Sequence, residues 1–190
     1  DNLAFVSYRS GSGQIWLSAE GKLRQLTHVE GHTGVEAFRW TPDGSFLVYL
    51  VNRQLHVLTS SGESQLLETP FSVVDIFQSH GEHGLLLNTY HQGQHQLVDY
   101  DFNTLSSTVL LQRSVNWAQI DRKRELYISG RDGIINKVLA NEKLESVGVP
   151  KINAWSQFFI KEQGLFALDN NHVIWHFDLN SAALTRLMDV

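Results

Sequence analysis

Cysteine is absent from this chain of 190 residues. That excludes disulfides, thiolate metal sites and a cysteine nucleophile. It is compatible with either redox compartment and slightly favours an oxidising one, where a free thiol is a liability. Basic residues are few: 15 Lys and Arg against 20 Asp and Glu give a net charge of −5 and a pI near 6.0. Direct nucleic-acid binding needs a basic face, so this segment is not expected to provide it. The tightest basic cluster, Arg122-Lys123-Arg124, reads as a solvated turn. Long apolar runs are missing too. The longest are short, such as Leu47-Val48-Tyr49-Leu50-Val51, far below the roughly 18 residues of a membrane helix. No secretory signal pattern opens the chain, which starts on the strand-like Leu3-Ala4-Phe5-Val6-Ser7-Tyr8. A natural C-terminus is expected after Leu187-Met188-Asp189-Val190, which follows directly on a strand.

Catalytic signatures are lacking as well. There is no G-x-S-x-G elbow and no H-E-x-x-H pair, and Gly11-Ser12-Gly13 has neither the lysine nor the helix of a phosphate loop. The expectation is a non-enzyme without cofactor or metal. Any hydrolase domain would have to lie outside this segment.

What the chain does have is 14 glycines against 3 prolines, a low charged share of 18%, and many β-branched and aromatic residues. That balance favours strands joined by turns. One strand pattern recurs five times: Gln14-Ile15-Trp16-Leu17, Gln54-Leu55-His56-Val57, Gln96-Leu97-Val98-Asp99, Ile134-Ile135-Asn136-Lys137 and Val173-Ile174-Trp175-His176. The anchors at 15, 55, 97, 135 and 174 lie 40, 42, 38 and 39 residues apart, the period of a propeller blade. A further strand follows each anchor, near 23, 64, 107, 144 and 184. The turns between them are rich in Gly and Asn, as at Glu20-Gly21 and Asn103-Thr104. In four copies two strands precede the anchor, the first beginning near Val35, Val73, Val115 and Ile152. Each unit therefore reads as four antiparallel strands, a to d.

No segment keeps a helical i, i+3, i+4, i+7 pattern over three turns. The fold class expected is all-β: a single, partial β-propeller over 1–190, with four full blades at 35–69, 73–113, 115–148 and 152–190. Residues 3–27 supply strands b, c and d of a partial blade. Its missing strand suggests a piece of a larger ring, or closure by self-association as a homodimer.

One copy reads Phe38-Arg39-Trp40-Thr41-Pro42-Asp43-Gly44-Ser45. It resembles the W-S-P-D-G repeat of TolB-type, WD-like propellers, in which Pro, Asp and Gly set a tight turn. The opening segment, Phe5-Val6-Ser7-Tyr8-Arg9 through Gln14-Ile15-Trp16-Leu17 to Arg24-Gln25-Leu26-Thr27, is similar to the same family's pattern. The motif covers only the first 50 residues. Later copies carry Ser79-His80-Gly81-Glu82, Arg122-Lys123-Arg124 and Lys161-Glu162-Gln163 instead, and there the blades rest on spacing alone.

The resemblance implies three settings. The first is the periplasmic sensor region of CadC-like membrane-anchored winged-helix transcriptional regulators, with DNA binding in a missing N-terminal domain. The second is a TolB-like periplasmic scaffold. The third is the gating propeller of a prolyl-oligopeptidase-type hydrolase. The first implies a protein partner or a small signal molecule. Ligand or partner contacts are expected at the channel mouth, from strand a and the d–a loops: His32, Glu36, Arg39, Asp75, Asn116 and Asn153. The bland alternative is that these are solvated or hydrogen-bonded wall residues.

Histidines offer little metal chemistry. His80 and His83 flank one turn and His91 and His95 the next, at opposite ends of a strand roughly 20 Å long, too far to share one zinc ion. His91 facing His95 across a hairpin is the surviving pair. His172 and His176 stand roughly 13 Å apart on one strand. The five tryptophans, Trp16, Trp40, Trp117, Trp155 and Trp175, recur at equivalent positions and are expected to pack between blades.

Overall fold

The computed structural model describes residues 3–31, 33–59, 61–152 and 157–189. The chain forms two compact units, Asp1–Leu110 and Leu111–Val190. The first opens with a three-stranded sheet of β1 (Leu3–Ser7), β2 (Gln14–Ala19) and β3 (Lys22–Gln25). Two four-stranded sheets follow. One is β4 (Ala37–Trp40), β5 (Phe46–Val51), β6 (Gln54–Thr59) and β7 (Ser64–Leu67). The other is β8 (Ser72–His80), β9 (Gly84–His91), β10 (Gln94–Asp101) and β11 (Ser106–Leu111). The second unit has two such sheets: β12 (Trp117–Ile120), β13 (Leu126–Ser129), β14 (Ile135–Val138) and β15 (Leu144–Ser146), then β16 (Phe158–Lys161), β17 (Gly164–Leu168), β18 (Val173–Asp178) and β19 (Leu184–Asp189). Every sheet is an antiparallel meander in chain order. The chain is all-β and built of propeller blades, and the opening blade lacks its first strand. The first strand of the last blade differs from expectation: it starts at Phe158, and Ile152 makes only an isolated bridge to Asp169.

Burial falls from the early strands of a blade to the last. β5 is buried along nearly its whole length, whereas all six residues of β19 are exposed. The alternation of a strand explains the apolar run at 46–51. Val48 and Leu50 point into a core shared with Val73, Ile76, Leu85 and Leu87 of the next blade. Leu47, Tyr49 and Val51 point the other way, onto Ile15 of the preceding blade. A strand covered on both faces needs apolar side chains at every position. Removing one, as in Leu50→Ala, costs about 2–5 kcal/mol.

The first strands of successive blades touch through side chains at the spacing of the repeat. In the first unit Arg39 Nε donates to Phe77 O at 3.2 Å, and Ser79 Oγ donates to Trp40 O. In the second, Trp117 Nε1 donates to Phe158 O at 2.9 Å and the Ile160 amide donates to Gln119 Oε1 at 2.6 Å. Gly34 is required where the entry to the second blade crosses the first. Its Cα hydrogen faces Gly13, and a Cβ there would lie 2.5 Å from the Gly13 amide nitrogen.

The tryptophans divide. Trp117 is buried between blades as expected. Trp175 Nε1 bonds Asp169 Oδ2 at 2.8 Å. Trp16 lies beneath the Arg9 guanidinium, 4.9 Å from the ring. Trp40, in the best-preserved motif, is 38% exposed and does not fill a core. Trp155 lies outside the described residues.

The Thr41-Pro42-Asp43-Gly44-Ser45 turn is closed by Thr41 N to Phe46 O at 2.9 Å, with Gly44 left-handed at φ 74°. Asp43 accepts from the Ser45 hydroxyl, from Thr41 Oγ1 at 2.6 Å and from Ser45 N at 3.1 Å. These bonds, led by that from the Ser45 side chain, lower its carboxyl to about 2. Turns without the motif use the same device. Asp121 Oδ1 accepts the Lys123 and Glu125 amides at 2.9 and 2.8 Å. Asp101, Asp169 and Asp178 hold their turns likewise.

Two predictions follow from these contacts. Trp117→Phe leaves the buried Phe158 carbonyl without its indole donor, at a cost of about 1–3 kcal/mol. It should accelerate hydrogen exchange in β12 and β16. Asp43→Asn should lower the melting temperature at pH 7. Because the folded carboxyl is depressed, its contribution is complete above its unfolded value near 4 and fades as pH falls to about 2. The gap between wild type and variant should therefore close over that interval in thermal melts.

Candidate functional site

Three of the described residues expected at the channel mouth fall in the first unit. Glu36 immediately precedes β4, and its Oε1 accepts the Asn52 amide at 2.8 Å. Asn52 Nδ2 in turn donates to Thr33 Oγ1 at 3.2 Å. Glu36 is thus a brace for the β5–β6 turn. Arg39 lies on β4 and Asp75 on β8, the first strands of adjoining blades. Register shifts flank Asp75 in β8, a local break in pairing that re-aims side chains. Burial lowers the Arg39 guanidinium from its usual value, against the pull of Asp75. Burial raises the Asp75 carboxyl, opposed by its bond from the Ile76 amide at 2.7 Å and by Arg39. These two charges therefore share one half-buried environment between blades. Asn116 belongs to the second unit, where its amide donates to Ser129 O at 2.8 Å. His32 and Asn153 lie outside the described residues.

The histidine pair at 91 and 95 is corrected by register. His91 opposes Gln94, and His95 opposes Tyr90. Adjacent residues on a strand point to opposite faces, so the two imidazoles are separated by the sheet. The His95 ring instead meets Tyr90 edge-on, with centroids 5.1 Å apart. His80 Nε2 contacts Asp99 Oδ1 at 2.9 Å, and His83 packs with Phe46 and Phe102. Among the described residues no three His, Asp or Glu side chains converge as metal ligands.

An open cleft of about 820 Å³ lies in the first unit, within the usual range for ligand sites. Residues 52–54, 66–72 and 90–92 line it. Three pieces of local structure build it. The Asn52-Arg53 turn is left-handed at both positions, φ 51° and 61°. Arg53 O accepts the Val73 amide at 3.1 Å, which fixes that turn against the next blade. The 68–71 linker is held by Tyr100 Oη to Glu68 O at 3.2 Å and by Thr69 Oγ1 to Phe71 O at 2.8 Å. The β9 end brings in Tyr90, 40% exposed, with His91 and Gln92.

Among the described residues, no hydrogen bond or ion pair occupies the side chains of Arg53, Gln54, Glu68, His91 or Gln92. Some long polar side chains elsewhere are tied down, as in Lys137 to Glu125 at 2.7 Å and Lys123 to Asn180 at 2.8 Å. The lining residues are not among those expected from sequence. Their one visible signal was the crowding of Asn, Gln and His at two successive turns, 52–54 and 91–92.

No known protein family and no curated protein matches the chain. Solved structures do. TolB from Acinetobacter baumannii superposes with a TM-score of 0.72 at 12% identity, over 100% of this chain and 53% of that one. The fold is TolB-like. An oligogalacturonate lyase in complex with manganese gives 0.70 at 13% identity, over 98% of this chain and 62% of the lyase. The extracellular domain of BT4673 from B. thetaiotaomicron gives 0.59 at 13%, over 96% and 28%. The chain spans 53% of the length of that TolB and 62% of that of the lyase. Among its described residues no helix is long and apolar enough to cross a membrane.

The Arg39–Asp75 neighbourhood yields a test. A carboxyl raised in the fold makes the protein more stable as pH falls through the raised value toward the ordinary value near 4. Arg39→Met removes the cation that restrains Asp75, so the Asp75 titration followed by NMR should move further upward and widen that pH window.

Proposed function

We propose that this chain is part of a non-catalytic, protein-binding propeller that works outside the cytoplasm. The supporting observation is the cleft at 52–54, 66–72 and 90–92, where the side chains of Arg53, Gln54, Glu68, His91 and Gln92 make no bonds with described residues while the Asn52 and Thr69 side chains help to close the surrounding turns. Polar groups held on a rigid scaffold but left uncommitted suit recognition of another molecule. The TolB-like fold and the likeness to an extracellular domain support the location. The lack of catalytic sequence signatures supports a binding role. Fold likeness at this identity leaves function to the site.

The specific setting we propose is the sensor region of a membrane-anchored transcriptional regulator, with DNA binding in a separate domain because this segment is acidic. A TolB-like scaffold is the second reading, favoured by the TM-score of 0.72. The coding sequence upstream separates them: a winged helix and one membrane span for the regulator, a cleavable signal for the scaffold. Partner binding is tested by placing a photo-crosslinking residue at Gln92 in cells. One adduct of defined mass is expected there, and none from the same probe at exposed Lys143 in the second unit. No adduct at Gln92, or equal adducts at both positions, would count against a partner at this end of the blades.

A further inference from the structure

Building on that protein-binding role, we infer that the cleft receives an extended peptide segment of the partner and that Arg53 reads a carboxylate on it. The cleft offers both charge signs, the Arg53 guanidinium and the Glu68 carboxylate, and neither is spent on the other or on any described neighbour. Beside them stand the amides of Gln54 and Gln92. A primary amide donates and accepts, which matches the alternating N–H and C=O groups of an extended main chain. A neutral sugar would take water from both charges without pairing either, which is costly. A nucleic acid would meet Glu68 and a chain of net charge −5. The exposed Tyr90 ring, fixed against His95, provides an apolar wall at the rim.

Arg53 also sits where its backbone would prefer another residue. The same two-residue turn in the next blade is Gln92-Gly93, with Gly93 at φ 84°, whereas Arg53 is held at φ 61°. Tight hairpins of this kind favour glycine at the second position. Glycine at 53 would relieve that turn and at the same time remove the guanidinium from the cleft lining.

The experiment is an NMR titration of the isotopically labelled chain with three blocked tripeptides, Ac-Ala-Asp-Ala-amide, Ac-Ala-Asn-Ala-amide and Ac-Ala-Lys-Ala-amide, and with maltose. Saturating shifts are expected at 52–54, 68–72 and 90–92 for the Asp peptide, with binding at least threefold weaker for the Asn and Lys peptides. Arg53→Gly should raise the melting temperature, since glycine accepts the left-handed turn, and should weaken the Asp peptide tenfold or more. Stability and binding moving in opposite directions is not expected of a merely structural residue. Shifts elsewhere, no shifts, an equal response to maltose, or unchanged binding by Arg53→Gly would each overturn the assignment. If the partner crosslinked at Gln92 still joins Arg53→Gly protein undiminished, the peptide reading fails while protein binding stands. If no partner joins wild type, protein binding fails, and the titration still decides the peptide reading.

Discussion

Blade-on-blade burial is the constraint on which the rest of this molecule depends. A lone four-stranded meander has two faces and too little apolar surface on either to stand in water. In the first unit β5 solves this by presenting Val48 and Leu50 to one neighbour and Leu47 and Tyr49 to the other. The hydrophobic effect acts on both faces at once, and a strand covered on both, as β5 is, must then be apolar throughout. The outermost strands, with one edge and most of their side chains in water, escape that demand, and every residue of β15 and β19 is exposed. Function is left to the places burial does not claim: the turns, the linkers between blades and the clefts they frame.

Those turns are held by aspartate more than by the motif that announces the fold. Asp43, Asp101, Asp169 and Asp178 each bond backbone amides of their own turn. All four carboxyls lie below their usual range. For Asp101 and Asp178 the amides of Thr104 and Ser181 lead the effect, whereas at Asp169 burial pushes upward and the bonds from Trp175, Val173 and Asn171 outweigh it. A carboxylate that must stay ionised to close a turn couples blade geometry to acidity. Asp75 is the counterpoint, a carboxyl raised by burial between blades and restrained by Arg39.

Much of the fold was legible in the chain. The spacing of Ile15, Leu55, Leu97, Ile135 and Ile174 located every third strand, because each blade must repeat its core at the same interval. The missing first strand of the opening blade followed from counting. The site was less legible. Arg39 and Asp75 were marked by their place on first strands, and they do share an environment. Glu36, marked for the same reason, braces a turn instead. Arg53 and Gln92 were passed over because hairpin residues carry no periodic signal.

The amino-acid sequence by itself determined the blade. Alternating apolar positions, turn residues with a taste for the left-handed region and a 40-residue period are local properties, written in neighbouring side chains. Only tertiary structure decided which side chains meet. His91 and His95 are four residues apart yet lie across a sheet from each other, because one step of register exchanges faces. Arg53 and Glu68 are separated along the chain yet line one cleft, because the next blade pins the turn through Val73. Register and blade packing are long-range choices made by burial, and no stretch of sequence records them alone.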